Sequence, residues 1–201
     1  FHPAAYIGGE PQDLKYNLEK TLVTIGSKNT FREGVSVHRG TVGGGGKTVI
    51  GDANLLMGYV HVAHDCRIGN HNILANYTGL SGHVTLENYV TLGGQNGVAQ
   101  FLCVGSYVYT GAASLIDRNI PPYATGYGNR FEVKGVNIVG LKRRNFSRES
   151  IGDIREAQRI FYRSEQQNDE ALRIIEETFG ESKAIRAFLD FIYSVEGSGK
   201  H

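Results

Sequence analysis

The chain has 201 residues, 27 of them Gly and 2 Cys, and its 21 Lys plus Arg against 20 Asp plus Glu leave a formal charge of +1. That balance excludes bulk electrostatic capture of nucleic acid or of an anionic membrane, and no apolar run approaches the roughly 20 residues of a membrane span. Two Cys do not make a disulfide framework, so a reducing cytoplasm is the expected compartment.

Opening at Phe1 and not at Met, the chain is expected to begin inside a longer protein. Residues 1–140 hold 23 of the 27 Gly but 19 of the 41 charged residues, whereas 141–201 hold 4 Gly and 22 charges. The first composition predicts turn-rich β structure and the second amphipathic helix.

A step of six organises the first part. Ile25, Phe31 and Val37 open it; the run breaks at Arg39–Lys47 (RGTVGGGGK) and resumes at Ile50, 13 residues on instead of 12, which predicts a looped excursion. From Ile50 the step continues through Leu56, Val62, Ile68, Leu74, Leu80, Leu86, Leu92, Val98, Val104, Thr110 and Ile116, eleven of these twelve being Ile, Leu or Val. A small residue often follows, as at Gly51, Ala63, Gly69, Gly93 and Gly105. A second short set recurs four residues after the aliphatic, as at Asn54, Cys66, Asn72 and Asn96. Such hexads predict a parallel β-helix, three hexads to a coil. The aliphatics point inward, the small residues occupy corners where a Cβ would collide, and coils stack at about 4.8 Å. Flat sides with little charge are expected to pack on other subunits.

After the Pro-containing Asn119–Tyr123, an irregular segment is expected to about Arg144. Ser147 reads as an N-cap with Glu149 in the first turn, and Ile151, Ile154, Ala157 and Phe161 mark one apolar helix face. Leu172, Ile175, Phe179 and then Ile185, Phe188, Leu189, Ile192 predict two more helices, starting near Asn168 and Ser182. The expected organisation is a solenoid over 1–125, a connector over 126–146 and a helical domain over 147–201.

Histidines cluster in the solenoid at His38, His61, His64, His71 and His83. With 18 residues per coil, His83 stacks on Asp65, and Gln100 lies two coils above His64, about 10 Å away, with Gly82 between them. One face therefore gathers His61, His64, Asp65, Gly82, His83 and Gln100. Three readings of that patch stand side by side. A neutral imidazole is a candidate general base, with the Gly82 N–H as an oxyanion donor. His61, His64 and His83 are alternatively metal ligands between subunits, Cys66 being inward and unavailable to them. The plainest reading is a solvated polar surface. Likewise the basic run Lys142, Arg143, Arg144 suits a phosphate or acidic-protein contact, or simply a solvated approach to a helix.

The segments QDLKY (Gln12–Tyr16), VHRGT (Val37–Thr41), NLLM (Asn54–Met57), HVAHDC (His61–Cys66), GHV (Gly82–Val84) and GVNIVGLKRRNFSRE (Gly135–Glu149) resemble the UDP-N-acetylglucosamine 3-O-acyltransferases of lipid A biosynthesis, over essentially the whole chain. The resemblance implies a mainly β chain, a left-handed parallel β-helix with a C-terminal α-helical domain, assembled as a homotrimer with sites between subunits and lacking several N-terminal coils. It implies transfer of a 3-hydroxyacyl chain from acyl carrier protein to UDP-N-acetylglucosamine with no cofactor and no metal. His64 then corresponds to the general base, Asp65 to the carboxylate that orients it and Gly82 to the oxyanion donor. Gln12, Asp13, Lys15, His61, His83 and Gln100 correspond to contacts with sugar and diphosphate. Asn137, Arg143 and Arg144 correspond to contacts with nucleotide or carrier protein, and Ala112 to the position that sets acyl length. Two residues depart: Ala99 and Val139 stand where the family motif has a His and a Glu. Those departures make a 3-amino sugar nucleotide the alternative substrate, and a non-catalytic trimeric scaffold the alternative function.

Overall fold

The computed structural model describes residues 1–163 and 168–197. Short strands fall on the expected hexads and sort into three sheets, one per side of a prism. Tyr6–Gly9, Ser36–His38, His61–Val62, Gly79–Leu80, Gly97–Val98 and Leu115–Ile116 make the first side, and Leu22–Ile25, Lys47–Ile50, Arg67–Ile68, Thr85–Leu86 and Cys103–Val104 the second. The third runs from Thr30–Phe31 through Leu55–Leu56, Ile73–Leu74, Thr91–Leu92 and Tyr109–Thr110 to Ala124–Tyr127 and Glu132–Val136. All pairings are parallel except the last, an antiparallel hairpin. The inward positions Ile50 through Ile116 are all buried, Thr110 included. Cys66 is inward as expected; its Sγ donates to the Ser81 carbonyl at 3.2 Å, and burial pushes its thiol up to about 12.

The small residues do let the coils stack closely: a Cβ on Gly69 would lie 2.5 Å from the Glu87 carbonyl oxygen, and one on Gly93 would lie 2.6 Å from the Ala112 nitrogen. The tightest backbone, however, is two residues further on, where the sequence carries no Gly. Ala53, Tyr59, Asp65, His71, Tyr77, His83, Tyr89, Gln95, Phe101, Tyr107 and Ala113 all have φ between +54° and +66°. A left-handed L-residue costs about 1–2 kcal/mol. Backbone bonds between coils, such as His83 N–H to the His64 carbonyl at 3.0 Å, and stacked rings offset it. Tyr59 stacks on Tyr77 at 5.1 Å, His71 on Tyr89 at 4.7 Å and His83 on Phe101 at 4.5 Å, one ladder at each corner.

Register also resolves the excursion. Val62 pairs with Leu80, 18 residues on, but Val37 pairs with Val62, 25 on, and Ile7 with Val37, 30 on. Seven residues therefore leave the coil within Arg39–Lys47, and twelve leave it between Gly9 and Leu22. The 13-residue step is one hexad plus seven, not two hexads plus one. Both excursions depart three residues after an inward position, at the corner that Asp65, His83 and Phe101 occupy in later coils.

Beyond the coils, the segment expected to be irregular is structured: it contains the hairpin and helix α1 (Ile138–Arg143). Helices α2 (Arg148–Arg163), α3 (Asn168–Phe179) and α4 (Lys183–Gly197) follow. The Ser147 Oγ accepts from Ser150 N–H at 3.0 Å, the expected cap. Ile151, Ile154, Leu172, Ile175, Ile185, Phe188 and Leu189 form a second core that reaches the last coil through Tyr123, whose hydroxyl donates to the Ala184 carbonyl at 3.1 Å. Among the described residues no helix is long and apolar enough to cross a membrane.

Candidate active site

In an ordinary strand the side chains of His64 and Asp65 would point to opposite faces. The left-handed φ of +61° at Asp65 turns the corner between them and brings His64 Nδ1 to 2.8 Å from Asp65 Oδ2. The Asp65 carboxylate is fully buried. It accepts from Thr41 N–H at 2.8 Å and from the Thr41 hydroxyl at 2.7 Å, while its own N–H donates to Thr48 Oγ1 at 2.8 Å. His83 Nε2 lies 3.7 Å from the same Asp65 oxygen, and its ring meets that of His64 edge-on at 5.2 Å. With Nδ1 held by the carboxylate, Nε2 of His64 carries the lone pair.

Gly82 lies against that ring: a Cβ there would be 2.7 Å from both Cε1 and Nε2 of His64. Its carbonyl accepts from Phe101 N–H at 3.1 Å, while its own N–H donates to no group among the described residues. The corner thus packs the His64 ring against a glycine whose N–H is unengaged among the described residues.

His61 sits on the flat side before the corner, its Nδ1 2.8 Å from Ser36 Oγ and its ring edge-on to His38 at 5.0 Å. His38 is buried, with Nδ1 lacking a partner among the described residues. Burial first, and then a neighbouring histidine (His64 for His38, His38 for His61), holds both imidazoles below the ordinary range. Between those lowered values and the unfolded value of about 6.5 the unfolded chain binds more protons, so stability is present above about pH 6.5 and is lost as pH falls below it. The expected result is a lower thermal midpoint at about pH 5.5 than at about pH 7.5, with a flatter dependence in His38→Asn. Equal slopes in the two proteins would assign the acid sensitivity to other groups.

The remaining expected residues are distributed around the prism. Gln12, Asp13 and Lys15 lie on the twelve-residue excursion, where Asp13 Oδ1 accepts from Lys15 N–H at 3.0 Å. Arg39 ties that loop to the next coil by donating to the Tyr16 hydroxyl at 2.7 Å and to the Gly8 carbonyl at 3.0 Å. Gln100 is exposed beside Phe101, at the His64 corner, and Ala99 before it is exposed too. Ala112 is at a different corner, next to Ala113 in the Tyr59–Tyr77 column. Asn137 and Arg144 are at the third: Asn137 caps α1 by accepting from Gly140 N–H at 3.0 Å and donates to the Tyr107 carbonyl at 2.8 Å, and the Arg144 guanidinium lies 4.5 Å over Tyr89. Arg143 and Val139 are exposed on α1.

Three donors suited to a divalent cation lie within 4.8 Å of one another, on His64, Asp65 and His83. The sequence reading named His61 in place of Asp65; its ring is turned instead to Ser36 and His38. Sequence reasoning also missed Thr41, Thr48 and Gly44, although the excursion that carries two of them was apparent as a break in the hexads.

A parallel hexapeptide solenoid with a His–Asp pair at one corner and a helical domain on its end defines a hexapeptide-repeat acyltransferase. A bacterial transferase hexapeptide profile of six repeats matches residues 47–82, and a UDP-N-acetylglucosamine O-acyltransferase domain 2 profile matches 119–199. The UDP-N-acetylglucosamine O-acyltransferase of Moraxella catarrhalis is 41% identical with a TM-score of 0.93, over 96% of this chain and 77% of that one. The Arabidopsis UDP-N-acetylglucosamine acyltransferase is 35% identical, TM-score 0.92, over 98% and 70%. That of Francisella novicida is 37% identical, TM-score 0.91, over 93% and 69%. The chain belongs to the UDP-N-acetylglucosamine O-acyltransferase family, and its solenoid is a left-handed parallel β-helix.

Proposed function

We propose that this chain moves a 3-hydroxyacyl group from acyl carrier protein to the 3-hydroxyl of UDP-N-acetylglucosamine, the first step of lipid A biosynthesis, in the cytoplasm. The observation that carries the mechanism is the 2.8 Å His64–Asp65 contact beside the unengaged Gly82 N–H. His64 Nε2 takes the proton of the sugar hydroxyl as its oxygen bonds to the thioester carbon. Gly82 N–H donates to the oxyanion, and Asp65 stabilises the imidazolium through Nδ1. Collapse breaks the C–S bond, and the proton on Nε2 goes to the leaving thiolate. Base and donor suffice for this transfer without metal or organic cofactor.

Gln12, Asp13, Lys15, His61, His83 and Gln100, at or beside the same corner, are proposed to hold sugar and diphosphate. Asn137, Arg143 and Arg144, with Ala112, lie near other corners of the prism and cannot meet His64 within one chain. A homotrimer supplies them from a neighbouring copy, and also covers the exposed Tyr59, Tyr77, Tyr109 and Leu115.

The test is transfer from 3-hydroxyacyl carrier proteins of several chain lengths to UDP-N-acetylglucosamine, by the wild type and His64→Ala. The variant is expected to lose about 10²–10⁴-fold in turnover. Equal turnover in the two proteins would remove the mechanism. Transfer only to the 3-amino sugar nucleotide would instead assign the departures at Ala99 and Val139 to substrate choice.

A further inference from the structure

We propose that Thr41, at the neck of the Arg39–Lys47 excursion, is a positioning residue for the acyl transfer: it fixes the Asp65 carboxylate so that its contact with His64 has one orientation. The inference rests on the acyltransferase reading above and deepens it.

The seven extra residues stand where the coil beneath Asp65 would otherwise turn its left-handed corner. Gly40 packs against the backbone of Lys47 so closely that a Cβ could not fit, which lets the two ends of the excursion meet. Gly46 N–H donates to the Thr41 carbonyl at 2.8 Å and closes the neck. Thr41 is therefore fixed by backbone, and both of its donors reach Asp65: N–H to Oδ1 at 2.8 Å and hydroxyl to Oδ2 at 2.7 Å. The hydroxyl has a single proton. Gly44 N–H donates to Thr41 Oγ1 at 3.1 Å, which occupies a lone pair and leaves that proton for the carboxylate. Gly44 itself lies over Asp65, in a place where a Cβ would collide with the carboxylate. The glycine run thus lets backbone cover Asp65 and keep water from it.

Thr41 is 7% exposed, and its side chain faces Asp65. It acts through Asp65 and then His64, so its effect belongs in turnover and not in substrate affinity. Thr41→Val keeps the shape and removes the hydroxyl donor; Thr41→Ser keeps the donor. The expected result is a loss in kcat of about 10–100-fold in Thr41→Val, the scale of one hydrogen bond to a charged group, with KM for both substrates within about twofold and recovery in Thr41→Ser. An independent readout is the downfield proton resonance of the His64 Nδ1–H held by Asp65. It is expected in the wild type and Thr41→Ser, and displaced or lost in Thr41→Val. Gly44→Ala, which leaves Thr41 intact but drives a Cβ at the carboxylate, is expected to show the same kcat loss, and it serves should the Val variant not fold.

Wild-type kcat with an unmoved resonance in Thr41→Val overturns the proposal, as does an equal kcat loss in the Ser and Val variants. A wild type that transfers no acyl group to either sugar nucleotide defeats the acyltransferase reading instead. The resonance then still decides whether Thr41 sets the Asp65–His64 contact.

Discussion

Gly82→Ala is expected to lose about 100-fold or more in turnover while the solenoid stays folded, because a reacting group misplaced by about 1 Å forfeits that much. The added Cβ would sit 2.7 Å from Cε1 and Nε2 of His64 and 3.3 Å from Nδ1. The imidazole has little room to retreat: Asp65 holds Nδ1 at 2.8 Å, and the His83 ring stands edge-on to it at 5.2 Å. Either the ring leaves the carboxylate or the corner moves away from it, and the second movement displaces the N–H proposed above as the oxyanion donor. Gly79→Ala is the matched control. It lies three residues earlier, paired with His61 and Gly97, and its Cβ would meet nothing within 4 Å. Side-by-side kcat values and thermal midpoints decide the point. A Gly82→Ala enzyme within about tenfold of wild type would mean that the His64 ring is not confined as described.

The hexads were readable because burial demands an aliphatic at every sixth residue, and the demand leaves its mark in composition whatever else the coil does. The corners were less so. A positive φ is ordinarily sought at Gly, yet here Tyr, His, Asp and Phe occupy it, steadied by coil-to-coil bonds and ring ladders that exist only once coils stack. The step of six in Tyr59, Asp65, His71, Tyr77, His83 and Tyr89 was the available signal. Spacing alone stacked Asp65 on His83; the pairing of His64 with Asp65 came only from the resemblance, and the corner at Asp65 is what makes it possible. Thr41 could not be paired with Asp65 in advance, since it reaches Asp65 across 24 residues and two unequal coils. The same limit hid the bond from Asn137 to the Tyr107 carbonyl, 30 residues away, although its capping partner Gly140 is local.

Asn72→Ala is expected to destabilise the fold by about 2–6 kcal/mol, from two buried groups left unpaired at about 1–3 kcal/mol each. Asn72 is completely buried inside the prism, in the position that Cys66 and Thr78 take in the neighbouring hexads. Its Oδ1 accepts from Val90 N–H at 2.7 Å and its Nδ2 donates to the Glu87 carbonyl at 2.9 Å, while its own N–H donates to Asn54 Oδ1 at 2.8 Å. Asn54 repeats the arrangement one coil earlier, donating to the Gly69 carbonyl at 2.9 Å. The ladder answers backbone groups that the left-handed corner turns inward, so it is required by the same geometry that makes the site. Truncation strands Val90 N–H and the Glu87 carbonyl with no water to replace the amide. Asn70→Ala, two residues away, removes an outer ladder in which Asn70 Oδ1 accepts from Asp52 N–H at 2.7 Å. Solvent can take over there, and a smaller loss is expected. Denaturant midpoints of the two variants test this, and equal losses would mean that the inner ladder is no more than packing. Because the coil-to-coil spacing that Asn72 holds also sets Gly82 against His64, a destabilised Asn72→Ala should lose activity at temperatures well below its midpoint, as the corner loosens before the solenoid unfolds.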